Sequence, residues 1–256
     1  MSTAGRVLVV QHEDKAPPGL VLTALEHAGL TGDVLAAHEG RALPAALADH
    51  LALIVLGGSM NATEDADHRW LLPTKALIAG TVASGRPFLG ICLGHQLATV
   101  ALGGLVGPHP LGPARGLLPW GPTPEGQADP FTGMLRAGAP VLHWNGDVAL
   151  ALPPGAQALA AAPDGTVQAA RFGPLAWGLQ FHPEVDADLV QHWLGDPGRD
   201  VAHQGVRIGG TSSGDTLEDV EQAALTDLRE RQDELLPVWH GLLVHFGRLS
   251  LTSGPP

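Results

Sequence analysis

The sequence predicts an α/β fold, a parallel sheet with helices on both faces. Short apolar runs alternate with longer stretches of helical periodicity. The runs are apolar throughout rather than at every second residue, as strands buried on both faces are. Glycine-rich or reactive residues stand just past several run ends, where ligands bind in such sheets.

In chain order, Arg6–Val10, Asp33–Ala36, Leu51–Leu56 and Pro87–Ile91 read as buried strands. Gly19–Ala28, Arg69–Ser84 and Gly94–Leu102 read as the helices between and after them. Gln11-His12-Glu13-Asp14 follows the first strand, so His12 either lines the crevice or sits on a solvated loop; the loop is the expectation. Pro108 to Pro140 is rich in proline and glycine and reads as a loop or hairpin flanking the site. Gly205–Asp215 reads as a flexible linker: its Gly-Gly-Thr-Ser-Ser-Gly run lacks the lysine of a phosphate loop and follows no buried strand. Beyond it Leu217, Val220, Ala224 and Leu228 recur at helical spacing behind a Thr216/Asp219 capping pair, and Pro237 is expected to break or kink that helix before Val238–Phe246. This predicts a domain over residues 1–195, with 196–256 as linker and helical extension packed on the same domain or used for self-association or a partner.

Gly90-Ile91-Cys92-Leu93-Gly94-His95-Gln96 holds the only cysteine of the 256 residues. It joins a short buried strand to a helix, and a residue on so sharp a turn needs neighbours without side chains two positions either side. That is the logic of a nucleophile elbow with sulfur in place of oxygen. A helix N-terminus also favours a thiolate. A buried structural cysteine is the competing reading. The run Trp177-Gly178-Leu179-Gln180-Phe181-His182-Pro183-Glu184 decides between them. On an extended chain His182 and Glu184 project to the same side. A cysteine nucleophile needs a base, and the base needs a group that holds its tautomer.

With Gly57-Gly58-Ser59-Met60 and His143-Trp144-Asn145-Gly146-Asp147 in the same order, the chain resembles the class I, or triad, glutamine amidotransferases over residues 6 to about 194. The likeness is greatest to stand-alone members related to the amidotransferase domain of GMP synthetase. It departs at Ser59, where the family has proline, and at Asn145, where a second histidine is frequent. The resemblance implies a flavodoxin-like three-layer mixed sheet. It also implies Cys92 as nucleophile, His182 as base, Glu184 as its orienting group, and the N–H groups of Gly58 and Leu93 as an oxyanion hole. Gln96, Trp144, Asn145, Gly146 and Asp147 would hold glutamine, and His95 would be a packing residue. No cofactor and no metal are implied. Ammonia would pass to a separate synthetase, since no acceptor domain is recognisable in the sequence.

Composition sets the remaining bounds. Hydrophobic residues make up 45% of the chain, enough for a sizeable core. One cysteine excludes an intrachain disulfide, and the thirteen histidines lack metal-ligand spacing. A net charge of −12 argues against nucleic acid. Met1–Arg6 has no apolar signal core and no run is long enough to span a membrane, so the expectation is a soluble cytoplasmic protein. Two other functions stay open: a hydrolase of γ-glutamyl amides or peptides with the same triad, and a non-catalytic binding module.

Overall fold

The computed structural model describes residues 5–194 and 216–252. Its centre is a seven-stranded sheet in which β1 (Gly5–Gln11), β2 (Leu30–Ala36), β3 (His50–Val55), β4 (Phe88–Ile91) and β11 (Ala176–Leu179) run parallel in the order β2-β1-β3-β4-β11. β10 (Val167–Gly173) and β9 (Gln157–Ala161) continue it antiparallel, so the sheet is mixed. Two antiparallel pairs stand apart: β5 (Leu105–Pro108) with β8 (Asp147–Ala151), and β6 (Ala114–Pro119) with β7 (Pro140–Asn145).

The all-apolar strands are explained by two cores. Val7 and Val9 of β1 point to one face and Leu8 and Val10 to the other, as strand alternation requires. On the first face α1 (Leu20–His27) supplies Val21 and Leu25, and α6 (Leu217–Thr252) supplies Leu242 and Phe246. On the second face α2 (Leu71–Ala83) supplies Leu77 and Ile78, and α3 (Leu93–Ala101) supplies Leu93 and Leu97. A third cluster joins Trp144 of β7, Val190 of α5 (Ala187–Gln191), Trp193 and the first half of α6.

One expectation is settled and another corrected. The Pro108–Pro140 stretch is a hairpin rather than a loop: β6 pairs antiparallel with β7, and the connection between them holds the short α4 (Pro124–Ala128) and a 3-10 turn, Thr132–Met134. Thr123 caps α4 with a 3.0 Å bond from the Gly126 N–H, and Asp129 Oδ1 accepts from the N–H of Phe131 and of Thr132. Pro108, Pro119 and Pro140 sit at strand ends and Pro124 at the first helical position, while Pro110, Pro113 and Pro130 lie in the turns between. Pro237 does not break α6, which continues to Thr252. Leu235 and Trp239 are buried on either side of it, so packing holds the helix across the missing hydrogen bond. The Thr216/Asp219 pair is in place, with Thr216 Oγ1 2.7 Å from Asp219 Oδ2. The Gly205–Asp215 segment lies outside the described residues.

Candidate active site

Sheet order places the site. β4 lies between β3 and β11, so the residues that follow these three strands meet at one edge: Gly57-Gly58, Cys92 and His182. Cys92 is still tied to the ladder, its N–H donating to Leu179 O at 2.7 Å, and α3 begins at the next residue. The reversal forces Cys92 to φ 48°, ψ −103°, a conformation that a side-chain-bearing residue adopts only under constraint. Closeness of strand and helix explains both glycines. A Cβ on Gly90 would lie 2.5 Å from the Gly94 backbone, and one on Gly94 would lie 2.1 Å from Val55 O.

His182 is held from several sides. Its N–H donates to Leu142 O at 2.8 Å, and its Nδ1 is 2.7 Å from Glu184 Oε1. Trp193 meets the imidazole edge-on at a centroid distance of 4.9 Å, while its own Nε1 donates to Lys15 O. His182 and Glu184 are both buried. The contact does not arise from strand alternation: β11 ends at Leu179, and Pro183-Glu184 form a turn that folds the carboxylate back onto the ring. Burial alone would depress the His182 pKa. The Glu184 carboxylate and the charge of Cys92 outweigh it and push the imidazole up to about 10. Gly57 fills the corner beside this pair, where a Cβ would come 3.1 Å from His182 Cε1 and 3.7 Å from Cys92 Cβ. The Cys92 thiol and the His182–Glu184 pair thus share one buried corner, an arrangement of groups that could hold a thiolate–imidazolium pair and move one proton.

In front of Cys92 opens a cleft lined by Gly58, Ser59, Met60, Asn61, Gln96, Arg115 and Trp144 through Asp147. Leu93 does not line it; its side chain is fully buried, and its N–H stands at the first position of α3, where no intrahelical acceptor exists. Gln96 Nε2 donates to Asp147 O (2.9 Å) and Gln180 Oε1 (3.3 Å), and Gln180 Nε2 reaches Cys92 Sγ at 3.6 Å. Asn145 Nδ2 donates to the same Asp147 carbonyl, and Asn145 Oδ1 faces His143 Nδ1 at 3.4 Å. Asn145 therefore serves as a polar strut of the cleft wall. Buried His143 is lowered to about 4, chiefly by desolvation.

His12 is corrected. It is fully buried rather than on a solvated loop, and its Nδ1 accepts from Trp70 Nε1 at 3.1 Å. Desolvation, then the charges of His38 and His68, lower it to about 3. His95 is also fully buried, with neither ring nitrogen hydrogen-bonded, and it packs on Phe172. Among the described residues, one group could share an ion by spacing, Asp14, His38 and Glu39, with atoms within 4.8 Å of one another. Chain distance hides it in the sequence. No helix of the described residues is long and apolar enough to cross a membrane. Gln180, Arg115, Gly19 and Trp193 were not singled out by the sequence. Gln180 alone had a signal, standing two residues before His182 at the end of an apolar strand.

The family model for "Glutamine amidotransferase class-I" matches residues 20–193. Among curated proteins, the chain is 29% identical over 187 residues to the GMP synthase [glutamine-hydrolyzing] of Aeropyrum pernix, covering 68% of this chain and 33% of that one. It is 31% identical over 149 residues to a gamma-glutamyl-L-1-hydroxyisopropylamide hydrolase of a Pseudomonas species, covering 56% of this chain and 48% of that one. The chain thus spans a third to a half of the length of these two relatives. A solved glutamine amidotransferase from Methylobacillus flagellatus superimposes with a TM-score of 0.80 at 24% identity, covering 99% of this chain and 96% of that chain, a likeness of fold.

Proposed function

The chain belongs to the class-I glutamine amidotransferase family, and we propose that it hydrolyses the side-chain amide of glutamine through a Cys92–His182–Glu184 triad. The observation that supports this most is the position of His182, its Nδ1 2.7 Å from Glu184 Oε1 and its ring flanking, with Cys92, the same corner at Gly57.

In this reading the Cys92 thiolate attacks the γ-carbonyl carbon. The negative charge that develops on oxygen is met by the N–H groups of Leu93 and Gly58. The tetrahedral intermediate collapses, the C–N bond breaks, and imidazolium His182 gives its proton to the departing nitrogen, releasing ammonia and a γ-glutamyl thioester. Neutral His182 then takes a proton from water as its oxygen attacks the thioester, giving glutamate and restoring the thiolate–imidazolium pair. Glu184 keeps Nδ1 protonated and stabilises the cation. Gln96 and Trp144 to Asp147 hold the amino-acid part of the substrate, and Gln180 steadies the sulfur.

Ammonia near neutral pH is mostly ammonium, which is no nucleophile. A synthetase docked over the cleft mouth would capture it, and the resemblance to GMP synthase favours such a partner. The second reading, a γ-glutamyl-amide hydrolase with no acceptor enzyme, is favoured by the likeness to the Pseudomonas hydrolase. The test is glutamate release from glutamine by wild type and Cys92→Ala, beside a panel of γ-glutamyl amides, with and without a co-purified partner. Equal glutamine turnover by Cys92→Ala excludes the triad. Amide turnover at roughly 1–10³ s⁻¹ without a partner gives the function to the hydrolase.

A further inference from the structure

We infer that α6 is part of the substrate site, with Glu221 acting as a positioning residue that fixes the cleft wall through Arg115. The inference rests on the proposed glutamine site, and concerns a helix that lies wholly outside the residues matched by the family model.

Arg115 lies in β6, opposite Trp144 of β7, and both line the cleft in front of Cys92. Its guanidinium is engaged in two directions. Nη1 donates to Asn145 O and to Ala114 O, each at 3.1 Å, and the guanidinium carbon sits 5.2 Å from the centre of the Trp144 ring. Nε donates to Glu221 Oε1 at 3.0 Å, and both side chains are almost fully buried. One planar cation thus connects the second turn of α6 to the backbone and ring of two residues that wall the cleft.

The geometry suits positioning better than simple docking of the helix. Docking is already provided by apolar contacts: Val220, Ala224, Leu225 and Leu228 are buried around Glu221, and the Thr216/Asp219 cap fixes the helix start. A buried ion pair adds little net stability over apolar residues of similar volume, because desolvation offsets the Coulomb gain. What the pair adds is orientation: a fork held on a carboxylate keeps its remaining donors aimed at Asn145 O. Without this carboxylate the guanidinium loses its charge-assisted anchor on α6, and the Trp144–Asn145 wall loses that part of its support.

The experiment compares Glu221→Gln, Glu221→Asp and the charge-free pair Arg115→Met/Glu221→Met with wild type, using Glu218→Gln, an exposed residue of the first turn of α6, as control. Each protein is checked for folding by circular dichroism. Glutamine KM and kcat are measured, and Cys92 is alkylated by a glutamine-like chloroketone and by iodoacetamide, which has no amino-acid part. Loss of charge-assisted positioning should raise KM and the chloroketone half-saturation about tenfold, with kcat and iodoacetamide labelling changed by less than about threefold. Glu218→Gln should match wild type. If the variants that fold keep KM and half-saturation within about twofold of wild type, the inference is overturned. If iodoacetamide labelling shifts as much as chloroketone labelling, the pair is merely structural and the inference fails as well. A wild type that neither hydrolyses glutamine nor reacts with the chloroketone defeats the glutamine-site reading instead.

Discussion

The backbone N–H of Leu20 donates to the carbonyl oxygen of Glu184 at 2.8 Å, so the first turn of α1 is tied to the residue whose carboxylate grips His182. Gly19 makes the approach feasible. It stands at φ +50°, and a Cβ there would lie 2.0 Å from the same oxygen. Orientation of the imidazole thus depends on a glycine far from it in sequence.

The first prediction follows. Gly19→Ala should lower stability by about 1 kcal/mol or more, from the positive φ and from the displaced Glu184 backbone. Misplacing the carboxylate by on the order of 1 Å should cut glutaminase kcat by up to about 10²-fold. Thermal unfolding and steady-state kinetics of the purified variant check both, and wild-type kcat in Gly19→Ala would show that Glu184 tolerates the shift.

Glu184→Gln keeps the shape and removes the charge. Glutaminase kcat should fall by about 10²–10⁴ with activity remaining, because the base is still present but its tautomer and cationic form are not. The same variant should alter the alkaline side of stability. The folded His182 is raised to about 10 from the ordinary imidazole value of 6.5. Its contribution is therefore fully present below 6.5 and lost as pH rises through about 10. Urea unfolding at pH 7 and pH 9.5 should show wild type losing more stability over that interval than Glu184→Gln. An equal loss in both proteins would mean that the carboxylate does not raise the imidazole.

The acid side has the opposite sign. His12, His95 and His143 are buried and lowered to about 3, 4 and 4, chiefly by desolvation. The unfolded chain takes up these protons below about 6.5 and the folded chain does not, so stability falls as pH drops toward 4. His95→Leu removes one of the three and two unbonded ring nitrogens. Between pH 6 and 4.5 it should lose about 1 kcal/mol less per pH unit than wild type. Parallel stability curves would show that His95 takes up a proton in the folded state.

Much of the fold was readable because local and global signals agree. The all-apolar strands around Val9, Ile54 and Leu89 are buried on both faces, and glycines at 90 and 94 announce a close strand–helix turn. What the sequence hid is what long-range packing decides. Thr123 and Asp129 order a proline-rich stretch through caps that are visible only once the chain is folded. Pro237 carries the usual signal of a break, but Leu235 and Trp239 anchor both sides. The meeting of Cys92, His182 and Glu184 was expected, though the means differs: a turn brings Glu184 to His182, not strand alternation. Arg115 and Glu221 gave no signal, since a lone arginine and a helical glutamate are ordinary surface residues until burial pairs them.

The last prediction concerns Gly58, proposed as a backbone donor to the oxyanion. It lines the cleft, and the turn that carries it is closely packed: a Cβ would lie 2.7 Å from Met60 Sδ, 3.0 Å from Leu93 Cδ2 and 3.2 Å from His12 Cβ. Leu93 cannot retreat, because it is fully buried at the start of α3, and His12 is fixed by Trp70. Met60 can swing aside for a single Cβ, but the branches of valine press on Leu93 and His12, so the Gly58 turn is expected to move for the larger side chain. Gly58→Val should rotate the amide away and lower kcat by about 10²–10³, the usual cost of one oxyanion donor. Gly58→Ala, which asks for a smaller displacement, should lose less. KM should change little in both, since the donor acts on charge that develops only in the transition state. Stopped-flow measurement of ammonia release with saturating glutamine checks the order of the three proteins. A folded Gly58→Val with unaltered kcat would place the second donor elsewhere in the turn, with the N–H of Ser59 the nearest alternative.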